Sequence, residues 1–278
     1  MRKIKIVADS SCDIFTLNGV ELVSAPMKVI TDEQEFVDDA SLDVDGMVEY
    51  LYQYKGKSKS SCPNTTDWLD AFGDADEVFC VTITSALSGS NNSASAAKQI
   101  YESENEGKRV YVFDTLSAGP EITLIVERLE QCIRKGMAFD DICKNVTEYM
   151  NSTGLVFMLR SLRNFANNGR VSPIVAKLVG IAGICIVGKA SDEGTLEPKQ
   201  KCRGERRSLE TLVQELIKEG YRGGKVSIGH CQKDAAAQEI KRMILEKHKK
   251  TVVEIHKLKG LCSFYAEKGG VLVGFEKA

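Results

Sequence analysis

The sequence predicts an α/β protein, with an N-terminal three-layer domain built on a mostly parallel sheet and a C-terminal α+β domain built on a largely antiparallel sheet. Three observations predict it. In the first half, near-continuous apolar runs of strand length alternate with amphipathic helical segments, as in a parallel sheet covered on both faces. In the second half, hairpin-like turns are mixed with helices. Between them lies a small-residue stretch, NSTG, which sets the domains at 1–153 and 154–278. A chain of 278 residues is long enough for both to bury a core.

In order, KIKIVAD (3–9), EVFCVTIT (77–84) and RVYVFDT (109–115) read as strands. Helical patterns separate them. DVDGMVEYLYQY (43–54) carries Met47, Leu51 and Tyr54 on one face, and TTDWLDAF (65–72) opens with residues suited to capping. Ala94, Ala97, Ile100 and Tyr101 follow helical spacing, and EITLIVERLEQCIRKG and FDDICKNVTEYM make two more helices. In the second half GLVFML (154–159) precedes a short helical SLRNFANNG and a break at GRVSP. ICIVG (184–188) and TLEPKQKC (195–202) flank the turn SDEG. Helices at 208–220 and 234–247, strands KVSIGHC (225–231) and TVVEIHKL (251–258), a short GLCSFYAEK and the strand GGVLVGFEK complete the chain.

The net charge of −2 leaves no electrostatic footprint for nucleic acid. The basic clusters CRGERR (202–207) and KRMILEKHKK (241–250) are local, and the second fits the solvated face of a helix. No segment reaches the length of a membrane span, and MRKIKIVAD continues as a strand rather than as a signal peptide. Nine cysteines, an odd number with no CxxC pair, fit reduced thiols in a cytoplasmic protein. Three histidines without ligand spacing give a metal site little support.

Ligands of a doubly wound sheet sit beyond the carboxyl ends of its strands. Here those ends read ADSSCD, TSALSGS and FDTLSAG, rich in hydroxyls and small residues. Ser88, Gly89 and Ser90 stand where a strand becomes a helix, so their amides and hydroxyls suit a carboxylate or phosphate, although serine there also simply caps a helix. Ser60 and Ser61 precede Cys62-Pro63, and proline biases its predecessor to extended geometry; a plain surface loop is the competing reading. Arg170 follows a glycine turn and suits either a bidentate anion contact or a tethering ion pair. His230 ends a strand, where a structural role competes with that of a base. GxSxG, Walker A and GxGxxG are absent. Asp9, Asp13 and Asp114 lie near strand ends, where they suit Mg2+ or plain capping, and Cys62 lacks a neighbouring histidine to activate it. This inventory suits holding an anion more than breaking a bond.

The ordered set ADSSCD, SKSSCPN, ITSALSGSNNSA, VFDTLSAG and NNGRVS resembles the DegV family across essentially the whole chain. The resemblance implies a two-domain fatty acid-binding protein, with no cofactor, that holds a long-chain acid such as palmitate between its domains. It further implies presentation of the acid to a separate ATP-dependent fatty acid kinase subunit, and it leaves transient membrane contact open. By this resemblance Ser60 and Ser61 bond the carboxylate, Ser88, Gly89 and Ser90 complete the cradle, and Gly169-Arg170-Val171-Ser172 matches a further motif. Arg203 matches a basic partner-facing position. Three departures stand out: Tyr265 occupies the place of an expected histidine, a lysine-proline pair is missing from AGICIV (182–187), and Cys62 replaces glutamine. Two other readings keep a place beside this one. One is a phosphotransferase or hydrolase for a small anionic substrate, using Asp9 or Ser88; the other is a regulatory protein that senses a lipid.

Overall fold

The computed structural model describes residues 2–171, 175 and 183–277. The chain opens with β1 (Ile4–Asp9) and β2 (Glu21–Ala25), then the short strands β3 (Lys28–Ile30) and β4 (Glu35–Val37). After them come α1 (Val44–Gln53), β5 (Lys59–Ser61), α2 (Thr65–Phe72), β6 (Glu77–Thr82) and α3 (Ser90–Glu104). β7 (Arg109–Asp114), α4 (Pro120–Arg134) and α5 (Phe139–Met150) complete the first half.

The first sheet has the order β2-β1-β6-β7 and is parallel throughout. Every residue of β6 is buried, as its near-continuous apolar pattern requires when both faces are covered. Val7, Val78 and Cys80 meet Trp68, Phe72 and Tyr101 of α2 and α3 on one face. Ile6, Phe79 and Val81 alternate to the other face, against Ile125 and Leu129 of α4 and Ile142 of α5. These are the three expected layers. Two features were not expected. β2 adds a fourth parallel strand, and β4-β3-β5 forms a separate antiparallel sheet that takes in Ser60 and Ser61. The cap of α2 is also one residue earlier than its threonines, a reciprocal pair between Asn64 and Asp67.

The second half begins with β8 (Thr153–Leu159), α6 (Arg163–Asn167), β9 (Ile184–Ala190) and β10 (Leu196–Arg203). It continues with α7 (Glu205–Lys218), β11 (Val226–His230), α8 (Asp234–Lys247), β12 (Val253–Lys257), α9 (Gly260–Ala266) and β13 (Val271–Glu276). The sheet order is β10-β9-β8-β13-β11-β12, antiparallel except for β11 with β12. Period-two alternation splits β8 between two environments. Val156 and Met158 join the core under α7 and α8, while Leu155, Phe157 and Leu159 face the side shared with α1 and α9.

The two sheets are joined by α4. Its first turn lies on β11 and β13, where Gly229 and Gly274 leave room for the backbone and for Pro120. A Cβ on Gly274 would lie 2.4 Å from the Glu121 amide nitrogen. Gly274→Ala is therefore expected to force α4 away from β13 and cost about 1–3 kcal/mol. Urea denaturation checks this, and an unchanged midpoint would count against the seat.

Candidate functional site

A cavity of about 300 Å³ lies between the loops at the carboxyl ends of the first sheet and the face of the second that carries Leu155, Phe157 and Leu159. Its wall divides by chemistry. At one end stand Ser60, Ser61, Cys62, Ser88, Gly89, Arg170 and Tyr265. Beyond them the lining is mostly apolar, with Thr84, Ser117 and Thr195 as the hydroxyl-bearing exceptions and Leu159, Phe157 and Leu155 in succession along β8. Roughly 14 Å of strand separates the first of these from the last.

The polar end is assembled from four separate pieces of chain. Ser60 and Ser61 sit on β5, pairing with Val29 and Lys28, and Asn168 fixes that strand from the other half of the molecule. The Ser60 amide donates to Asn168 Oδ1 at 3.1 Å, and Asn168 Nδ2 donates to Asn164 O at 2.8 Å. The first turn of α3 is tied to the β5 segment by Ser93, whose hydroxyl donates to Pro63 O at 2.7 Å and accepts from Trp68 Nε1 at 3.1 Å. The two loops touch, since a Cβ on Gly89 would lie 3.3 Å from Cys62 Sγ. Tyr265 closes the ring from α9. Its hydroxyl and that of Ser60 share a hydrogen bond of 2.7 Å, its ring packs 4.6 Å from Phe165, and Arg170 adds a guanidinium beside it. Burial pushes the phenol's pKa up, so it remains a neutral donor.

Ser88 Oγ accepts from the Ser90 amide at 3.2 Å, which leaves its proton free to donate. The amides of Ser88 and Gly89 have no protein acceptor among the described residues, and α3 begins here without a side-chain cap. The helix end is thus open to an anion. Four hydroxyls, two amides and one guanidinium converge at the mouth of an apolar cavity. This donor set matches a carboxylate carried on a hydrocarbon chain.

Comparison with known proteins agrees with that chemistry. Residues 3–278 match the model of a family described as "Uncharacterised protein, DegV family". A DegV domain-containing protein of Streptococcus gordonii is 41% identical over 276 residues, 98% of each chain. The chain belongs to the DegV family. A DegV family protein of Eubacterium eligens, solved loaded with heptadecanoic acid, superposes with a TM-score of 0.96 at 43% identity, covering 99% of this chain and 100% of that one. The fatty acid kinase (Fak) B3 protein of Streptococcus pneumoniae, solved loaded with linoleic acid, superposes at 0.97 with 41% identity over the whole of both chains.

Not every residue singled out in this DegV chain reaches the cavity. Ser90 is fully buried behind it, its hydroxyl donating to Asp9 Oδ2 at 2.6 Å, so it braces the cradle and does not line it. Arg203 is exposed at the end of β10 and is not among the lining residues. Ser172 and most of the segment that follows lie outside the described residues. Asp9 takes donors from Ser11, from the Ile83 amide at 2.9 Å and from Ser90, so its acceptor sites are occupied by the fold. Asp114 caps Ser85 N at 3.0 Å and Leu116 N at 3.3 Å. His230 is buried away from the cavity, its Nδ1 accepting from Lys233 N at 3.1 Å. All nine cysteines are free thiols, and only Cys62 lies outside the buried class. Among the described residues no group of histidine, cysteine and acidic side chains is arranged to hold a metal ion, and no helix is long and apolar enough to cross a membrane.

The clamp role of Asn168 is not visible in the sequence, because its partners Ser58 and Ser60 lie more than 100 positions away. The support under Tyr265 is not visible there either. Asp38 accepts from the Gly260 amide at 2.7 Å and the Leu261 amide at 2.8 Å, while Asp13 accepts from the Lys259 amide at 2.8 Å. Two buried carboxylates thus hold the N-terminus of the helix that carries Tyr265. Burial pushes Asp13 up to about 8 and Asp38 up to about 6, from an ordinary 3.8. Between roughly pH 4 and 8 the folded chain therefore binds more protons at these sites than the unfolded chain. Their contribution to stability is fully present below pH 4 and is lost as pH rises through 6 and then 8. Asp13→Asn is expected to flatten that decline, as read from urea midpoints across the window; an unchanged slope would contradict the assignment.

Proposed function

We propose that this chain binds a long-chain fatty acid as a single extended ligand. The carboxylate is received by the hydroxyls of Ser60, Ser61, Ser88 and Tyr265 and by the Ser88 and Gly89 amides, with the Arg170 guanidinium beside them. The tail follows the alternate residues of β8. The observation that carries this reading is the division of one cavity into a hydroxyl-rich end and a largely apolar remainder. Each methylene buried contributes about 0.8 kcal/mol before ordering costs, so the tail supplies most of the affinity. The head group needs its full set of donors because an unpaired buried charge is far too costly.

The protein acts on this reading as a holder with no bond chemistry of its own. Supporting it, Asp9 is committed to the fold, and Ser88 bonds to an amide with no base among its hydrogen-bond partners. On this reading the chain divides into units 1–153 and 154–278, and the ligand lies where the two meet. Likeness to the fatty acid kinase B3 protein over the whole chain supports presentation of the bound acid to a separate ATP-dependent kinase subunit in the cytoplasm, with Arg203 on an exposed surface suited to that contact. Loading from a bilayer would need transient membrane contact.

Mass spectrometry of lipid extracted from the purified chain is expected to return straight-chain acids. In the Ser61→Ala, Ser88→Ala double variant, two bonds to a charged group are lost at about 1.5 kcal/mol or more each, so retention falls about 100-fold. Unchanged retention would mean that the head-group site is misplaced. Arg203→Ala is expected to keep the lipid and to lower acyl phosphate formation when the kinase subunit is supplied with ATP. Equal turnover by the variant would remove Arg203 from the interface.

A further inference from the structure

Leu116, Leu155 and Ala190 line the cavity and also line a second one of about 240 Å³. That second space is polar, with Glu121, Thr153, Lys189, Asp192 and Lys277 around it. An apolar chamber and a polar chamber are therefore separated by a thin partition of side chains. Leu116 is its least conventional member. It stands in the loop after β7 with φ at 51°, a left-handed conformation that leucine seldom occupies, and it is 39% exposed. The loop is held there by the turn between β9 and β10. Thr84 Oγ1 donates to Gly194 O at 2.8 Å, and a Cβ on Gly194 would lie 3.1 Å from Leu116 Cα. The strained leucine is thus fixed by contacts from both halves of the molecule, as a rigid stop requires.

We infer that Leu116, with Ala190 facing the same space, is the residue that sets the longest acyl chain this protein accepts. The inference rests on the fatty acid reading. A chain that fits ends against Leu155, Leu116 and Ala190. A longer chain must displace the partition or push its methyl end among charged groups. One extra methylene against a closed apolar wall is discriminated by about tenfold or more. The polar ring at the head end fixes where the count begins, so chain length is measured from Ser60 and Ser61 to Leu116.

The test uses the full chain, stripped of lipid and then offered an equimolar series of saturated straight-chain acids from dodecanoate to docosanoate. Retained acids are extracted and quantified. The parent is expected to show a sharp upper limit. Leu116→Ala moves that limit to longer acids, with about tenfold enrichment of the first acid the parent rejects. Ala190→Leu moves it to shorter acids, and it carries the test alone should the first variant not fold. If a folded variant keeps the parent's length profile while retaining the same total lipid, the stop is wrong and the fatty acid reading stands. If the parent retains no acid at all, both fall.

Discussion

The site depends on two buried carboxylates that hold a short helix by its backbone. Asp13 and Asp38, from the first half of the chain, accept the amides of residues 259 to 261 at the start of α9. A seven-residue helix has little stability of its own. Its position is set by these hydrogen bonds and by the packing of Leu261 and Phe264 into two of the hydrophobic cores. Without them Tyr265 has no fixed place opposite Ser60, and the polar end of the cavity has no third side. Asp38 is itself positioned through Ser10, whose oxygen accepts from the Met27 amide at 3.1 Å and whose proton goes to the carboxylate. The loop that ends β1 therefore organises elements from both halves.

Charge is placed behind the site and excluded from its wall, apart from Arg170. Asp9, Asp13 and Asp38 lie one layer back, where each accepts backbone or hydroxyl donors. The residues that face the cavity present donors without negative charge, which suits a surface meant to receive a carboxylate. The same division explains the hydroxyl-rich strand ends. Ser90 serves Asp9, Ser93 ties two loops together, and Ser88 is left to face the ligand.

Much of this was legible in the sequence because periodicity and composition act locally. The buried run of β6, the capping of α2 and the turn at 191–194 follow from neighbouring residues, and the structure places them as expected to within a few positions. The strands β2 to β5 were missed because they are short and only partly apolar, so their pattern is too brief to read. Pairing with distant partners creates them. The cradle residues were legible as a set because hydroxyls recur at three strand ends. Which serine faces the cavity was not, since Ser88 and Ser90 differ only in whether a carboxylate 81 residues away claims the hydroxyl. Asp38, Asn168 and Leu116 carry no local signal at all. Their roles arise from partners up to 223 positions distant.

The central claim is that one extended ligand lies with its carboxylate on the hydroxyl ring and its tail along β8. The most direct measurement is a crystal structure with a fatty acid carrying bromine at its terminal carbon, located by anomalous scattering. The account predicts carboxylate oxygens within hydrogen-bonding distance of Ser60, Ser61 or Ser88 and the bromine beside Leu155 and Ala190. Bromine at the serine end, or a chain bound outside this cavity, would contradict it.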